Sequence, residues 1–255
     1  MGLAKGSDVI SRIESISFSY TDDLCGTSSV SKQGLGQFLR SEVSARLKPV
    51  GDGSGDDTAF ERCLNVITSI PYGLCGVHAI RTRRSVHGKV WGWSLVLVAG
   101  GASLFHASKC RIFPKTARSV TRKLDYWLIT ASTVSLLKAI HPNLPPTVAL
   151  STLASLPFEP FKISAANIAA MEIEFARRAY TSGNDALKRS FHRQLAAAVV
   201  GSVLFFAEDC PSLVDDSLPN LPLVHAGWHC LSAYATAECN ALLKEVEAND
   251  TKKGF

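Results

Sequence analysis

The chain has 255 residues, of which 46% are hydrophobic and 19% charged, with a formal net charge of +5. Soluble domains usually carry about a quarter charged residues, so composition leaves both a helical membrane protein and a soluble helical one open. The seven cysteines form no C-x-x-C pair and are irregularly spaced, which excludes a zinc ribbon or thioredoxin-type motif and argues against a secreted disulfide scaffold.

Residues 1–58 are polar and end in GDGSGDD. They are expected to form a flexible N-terminal extension, with one short amphipathic helix around Leu35–Leu47. The first twenty residues contain no continuous apolar core of signal-peptide length. From Phe60 the character changes. Cys63–Ile80 runs for 18 residues without a formal charge and is closed by Arg81-Thr82-Arg83-Arg84; Val90–Ala107 is a second apolar stretch of the same length, also without a formal charge. A helix of that length rises about 27 Å, close to the hydrocarbon thickness of a bilayer.

The later segments are weaker. Leu124–Ile140 carries Asp125 and Lys138; Thr147–Phe158 has twelve residues; Ile163–Tyr180 contains Glu172, Glu174, Arg177 and Arg178; Leu195–Phe206 is apolar but short; Leu221–Leu243 is long enough to span despite Glu238. Polar inward faces lower hydropathy in this way in bundles that line a cavity. The connections HPNLPP and EDCPSLVDDSLPNLP read as helix breakers, and no segment alternates as a strand would. Residues 59–245 are therefore expected to form an all-α, polytopic transmembrane bundle of seven helices, and 246–255 a polar tail. Two basic runs, Arg81–Lys89 and Lys109–Lys123, flank the apolar spans with no aromatic residues interleaved at a spacing that suggests base stacking. That pattern fits a membrane surface and gives no reason to expect a nucleic-acid partner. Both early loops are positive, so orientation is not set by charge.

The chemistry-bearing residues lie at the ends of the apolar segments. His225 and His229 stand four apart in HAGWH, so a helix places them on one face. Alone they are either packed core histidines or two ligands of a metal site lacking its third. His78, His87, His141 and His192 sit beside charge or proline and read as boundary or surface residues. His106 closes GGASLFHA, with Ser103 one turn earlier on the same face and small residues Gly100, Gly101 and Ala102 that allow close helix approach. Asp125 follows in KLDYW, at the mouth of the next apolar segment, where it is either a helix N-cap or a functional acid.

This order, Ser and His on one helix, Asp on the next and H-x-x-x-H on the last, resembles the superfamily of seven-helix membrane hydrolases. That superfamily includes the alkaline ceramidases, the progestin/adipoQ receptors and the lipid-remodelling proteins of GPI-anchor maturation. The resemblance covers about Phe60 to Leu243. FERCLNVITSIPYG is similar to the first helix of alkaline ceramidases and HAGWH to their last motif, whereas KLDYW is closer to the receptor form. It implies a zinc ion held by His106, His225 and His229, with Asp125 handling the proton of an attacking water and Ser103 donating to the developing oxyanion. It further implies cleavage of a lipid amide, ceramide or phytoceramide, in an endoplasmic-reticulum or Golgi membrane, with a plastid membrane also compatible. A membrane receptor or lipid sensor on the same scaffold is the alternative it leaves, and a soluble helical interaction protein is the alternative if the likeness fails. Three departures stand out, one being a His106–Asp125 separation longer than is usual in ceramidases. The family serine lies four residues before the histidine, where this chain has Ala102. The acidic calcium-binding segment of animal ceramidases has no clear counterpart; Asp56, Asp57 and Glu61 are the nearest acids, in what reads as a solvated linker. Oligomeric state is left open.

Overall fold

The computed structural model describes residue 56 and residues 58–110, 112–155, 158–207 and 223–253. The helix expected around Leu35–Leu47, Asp57 and the breaker at 208–222 lie outside them. Among the described residues the chain is all-helical, with no strands. Helix α1 spans Ala59–Thr82, α2 Val86–Ala107, α3 Lys115–Ile140, α4 Pro146–Ser155, α5 Pro160–Thr181, α6 Asp185–Ala207 and α7 Leu223–Lys253.

Helix boundaries follow from local chemistry. Thr58 and Glu61 form a capping box at the start of α1, each side chain accepting from the other's backbone N–H at 3.1 and 2.7 Å. Glu61 thus closes a helix end and is not part of a solvated linker. Ser85 caps α2 by accepting from the Gly88 N–H at 3.0 Å. Pro160 opens α5, where its missing N–H costs nothing. Gly183, with φ of 68°, carries the chain out of that helix in the left-handed region that glycine adopts without strain.

Neighbours in sequence are neighbours in space. α1 lies along α2, α2 along α3, α3 against α5, α5 against α6 and α6 along α7, while α7 packs back on α1 and closes the ring. α1 and α2 approach closely. A Cβ built on Gly92 would stand 2.8 Å from the Gly76 carbonyl oxygen and 2.9 Å from the Ile80 nitrogen, so the two backbones touch there. One apolar core lies at the end of the ring remote from the histidines, around Trp91, Phe175, Ile140, Leu242 and Leu243.

Among the described residues two helices, α1 and α2, are long and apolar enough to cross a membrane. α4, at ten residues, rises only about 15 Å and is too short to cross one as a helix. The boundary expected at residue 245 falls inside α7, which continues to Lys253. The reason is packing: Val246 is buried in the apolar core, and Glu247 accepts hydrogen bonds from the Arg84 and Ser85 backbone N–H groups at 3.0 and 2.9 Å. This part of the expected polar tail therefore holds the α1–α2 turn.

Candidate metal centre

The three histidines come together. His106 is the penultimate residue of α2, and His225 and His229 occupy the first two turns of α7. Ring centroids are 5.0 Å apart for His106 and His225, 5.1 Å for His106 and His229, and 4.6 Å for His225 and His229. One ring nitrogen from each lies within 4.8 Å of the others. His106 and His229 are each 2% exposed, and His225 is half-buried. The arrangement could hold a metal ion, and no fourth histidine, cysteine or carboxylate joins the group among the described residues. Three protein ligands with one open position is the pattern of a reactive site, whereas structural sites fill all four.

The outer hydrogen bonds decide which nitrogen of each ring is available. His106 Nδ1 lies 2.9 and 3.0 Å from the two carboxylate oxygens of Asp56. An ionised carboxylate only accepts, so Nδ1 carries the proton and Nε2 keeps its lone pair. His229 Nδ1 sits 3.2 Å from Thr68 Oγ1 and 3.4 Å from Ser69 Oγ. Both hydroxyls already donate to main-chain carbonyls, Thr68 to Leu64 at 2.9 Å and Ser69 to Asn65 at 2.7 Å. Each can therefore only accept from His229, which again puts the proton on Nδ1 and frees Nε2. Protonated Nδ1 and bare Nε2 on two buried imidazoles are what a metal site requires of its ligands.

Asp56 was not among the residues the sequence singled out as functional. Linker composition suggested a solvated acid, yet it is 1% exposed. Burial alone would raise its pKa, but hydrogen bonds from His106, Asn65 and Arg118 bring it down to about 2. Its only sequence signal is its place immediately before the capped start of α1.

Asp125 also comes to the site, though not as an N-cap. α3 begins at Lys115, so Asp125 lies about three turns inside it. It is buried, its Oδ1 has no hydrogen-bond partner among the described residues, and it is within electrostatic reach of His225. A Cβ on Gly101 would stand 2.5 Å from Leu128 Cδ1 and, at ordinary contact distance, 3.7 Å from the Asp125 Cα, so α2 and α3 lie close there and the small residue makes room for the Leu128 side chain. Gly100 plays no such part, having nothing within 4 Å. Ser103 is half-buried one turn before His106, and no hydrogen bond joins it to the histidines among the described residues. His78 and His192 are exposed, and His192 meets the Tyr180 hydroxyl at 2.9 Å. Tyr72, edge-on to His229 at 6.4 Å, hydrogen-bonds Ser232 and ties α1 to α7 beside the site.

No protein-family model matches the chain, and no curated protein matches its sequence.

Proposed function

We propose that the chain is a zinc-dependent membrane hydrolase that cleaves a lipid amide, with ceramide or phytoceramide as the substrate. The observation that carries the reading is the convergence of three imidazoles, two with Nδ1 committed to an outer acceptor, within electrostatic reach of Asp125, whose buried Oδ1 has no hydrogen-bond partner among the described residues. His106, His225 and His229 would hold the ion. Zinc fits a set of neutral imidazole donors and, when bound, supplies Lewis-acid polarisation and activates water near neutral pH.

The protein's part is placement. Asp125, buried and within electrostatic reach of His225 with Oδ1 unused, would orient the attacking water, accept its proton and return that proton to the leaving amine nitrogen. Thr68 and Ser69 hold His229, and Asp56 holds His106, so that ring orientation is established before substrate arrives. The lipid substrate is inferred from the family resemblance and from the surface of the two long apolar helices. Only 28% of the apolar window of α1 and 44% of that of α2 is buried, and Phe60, Ile67, Leu74, Val90, Trp93 and Leu97 are exposed. A core helix of a soluble protein would cover such residues, whereas acyl chains cover them at no cost.

The reading is tested on detergent-purified full-length protein by metal analysis and by hydrolysis of labelled ceramides, wild type beside His229→Ala. Stoichiometric zinc and amide cleavage in the wild type, both lost in the variant, are expected. Protein that holds no zinc, or hydrolysis untouched by the substitution, refutes it. A lipid receptor or sensor on the same scaffold is favoured by one observation, that no hydrogen bond joins Ser103 to the histidines among the described residues; zinc with ligand binding but no turnover on a ceramide panel identifies that case. Membranes washed with carbonate should retain the chain, and release without detergent contradicts the membrane assignment.

A further inference from the structure

The carboxylate of Asp56 stands where three helices meet. Its Oδ1 accepts from Asn65 Nδ2 of α1 at 2.9 Å, its Oδ2 accepts from Arg118 Nη2 of α3 at 2.9 Å, and both oxygens face His106 Nδ1 of α2. A carboxylate that is 1% exposed is tolerated only when its lone pairs are used and its charge is balanced. Here Arg118 balances the charge and the other two donors fix the plane. Arg118 is itself held by the Phe105 ring, its guanidinium carbon 4.6 Å from the centroid. Phe105 is the neighbour of His106, so one cation steadies both the carboxylate and the turn that carries the imidazole.

We propose that Asp56, seated by Arg118 and Asn65, is the positioning residue of His106, holding its imidazole in the Nδ1–H form with Nε2 turned toward His225 and His229. The inference rests on the metal-site reading above and adds to it a residue from outside the helical bundle. A rotation of this ring about its Cβ–Cγ bond, or the opposite tautomer, would remove one of three ligands. Asp56 blocks both, since only Nδ1–H can donate to it and the two near-equal distances centre the ring on the carboxylate. The residue has a positioning and not a catalytic role, because its carboxylate oxygens are taken up by His106 Nδ1, Asn65 and Arg118.

The test uses the full chain in detergent. Zinc affinity is read by competition with a chromophoric chelator, and ligand geometry by the visible bands of the cobalt(II)-substituted protein. Asp56→Asn is expected to weaken zinc about 10–100-fold, the usual effect of removing an outer carboxylate, and to shift the cobalt bands. Asp56→Glu should recover part of the affinity, and Arg118→Met should weaken zinc by a smaller factor with a band shift in the same direction. Melting of the metal-free proteins by circular dichroism separates this effect from misfolding; if Asp56→Asn does not fold, the Arg118→Met spectrum decides. Wild-type affinity and an unaltered cobalt spectrum in a folded Asp56→Asn protein, with zinc lost in His106→Ala, would overturn the positioning role and leave the metal site standing. Wild-type protein that takes up no zinc, or His106→Ala protein that binds it as well as the wild type, sinks the site and the positioning role together.

Discussion

Replacing Gly92 by alanine puts a methyl group into the contact between α1 and α2. The new carbon would lie 2.8 Å from the Gly76 oxygen, 2.8 Å from Ile80 Cγ1 and 2.9 Å from the Ile80 nitrogen. The Ile80 side chain can rotate away, but the two backbone atoms cannot. Ordinary contact begins at 3.4 Å, so the helices must part by roughly 0.6 Å, a gap that forfeits a quarter to a half of the dispersion attraction along the seam. Overpacking of this kind costs about 1–3 kcal/mol, and a backbone obstacle places it at about 2–3. Alanine returns up to about 1 kcal/mol through its better helix propensity, leaving a net loss of about 1–2 kcal/mol. Gly100→Ala, in the same helix with nothing within 4 Å, receives the propensity gain and meets no obstacle. The difference between the two variants, from which propensity cancels, is therefore about 2–3 kcal/mol. Reversible unfolding of the detergent-solubilised protein, followed by far-UV circular dichroism, measures it. Equal stability of the two variants would refute the argument that the helix backbones meet at Gly92. The parting also moves α1, which holds His229, against α2, which carries His106, so zinc affinity should fall in Gly92→Ala and not in Gly100→Ala.

Other outcomes follow from the same geometry. Removing the metal with a chelator should lower the melting temperature and readdition should restore it; zinc at a hundred times its Kd is worth about 2.7 kcal/mol, and a melting curve indifferent to chelator contradicts a metal bound by the folded state. Thr68→Val with Ser69→Ala leaves His229 Nδ1 without its hydroxyl acceptors and should weaken zinc by about tenfold or more in a chelator competition. Thr130 is fully buried and its hydroxyl meets both the Pro160 carbonyl, at 3.1 Å, and Ser164 Oγ, at 2.9 Å; Thr130→Val strands those partners and should cost about 1–3 kcal/mol in a denaturant titration, with zinc content unchanged. Truncation after Glu245 removes a buried Val246, worth about 1.5–3 kcal/mol, and the charge-assisted bonds of Glu247 to the α1–α2 turn. A truncated chain as stable as the full one would show that the end of α7 is only a tail.

Much of the helical layout was legible along the chain, because apolar runs and breakers act over a few residues. Each apolar segment from Cys63–Ile80 to Leu221–Leu243 lies within or largely within one helix. The helices extend beyond those segments mainly where polar residues form their ends, as Thr58 and Glu61 do at α1 and Lys115 to Lys123 do at α3. The polar first turns of α3 were hidden for that reason, and with them the fact that Asp125 is an interior residue of the helix and no cap. The end of α7 was hidden likewise, since Glu247 looks like tail chemistry until the turn it bonds is in view.

What the sequence determined by itself is local: where the helices lie, that His225 and His229 share a face, and that His106, Ser103 and Asp125 are polar groups at the edges of apolar segments. Only the tertiary structure decided which of them converge. It brings His106 to the pair on α7 and Asp125 within electrostatic reach of His225, shows no bond from Ser103 to the group among the described residues, and adds Asp56, Thr68 and Ser69 as the residues that fix the ring nitrogens. The physical reason is range. Helix propensity and the 3.6-residue period act between near neighbours in the chain, whereas the carboxylate of residue 56 and the imidazole of residue 106 meet only because α1 and α2 approach closely enough, at Gly76 and Gly92, to set both ends of the seam.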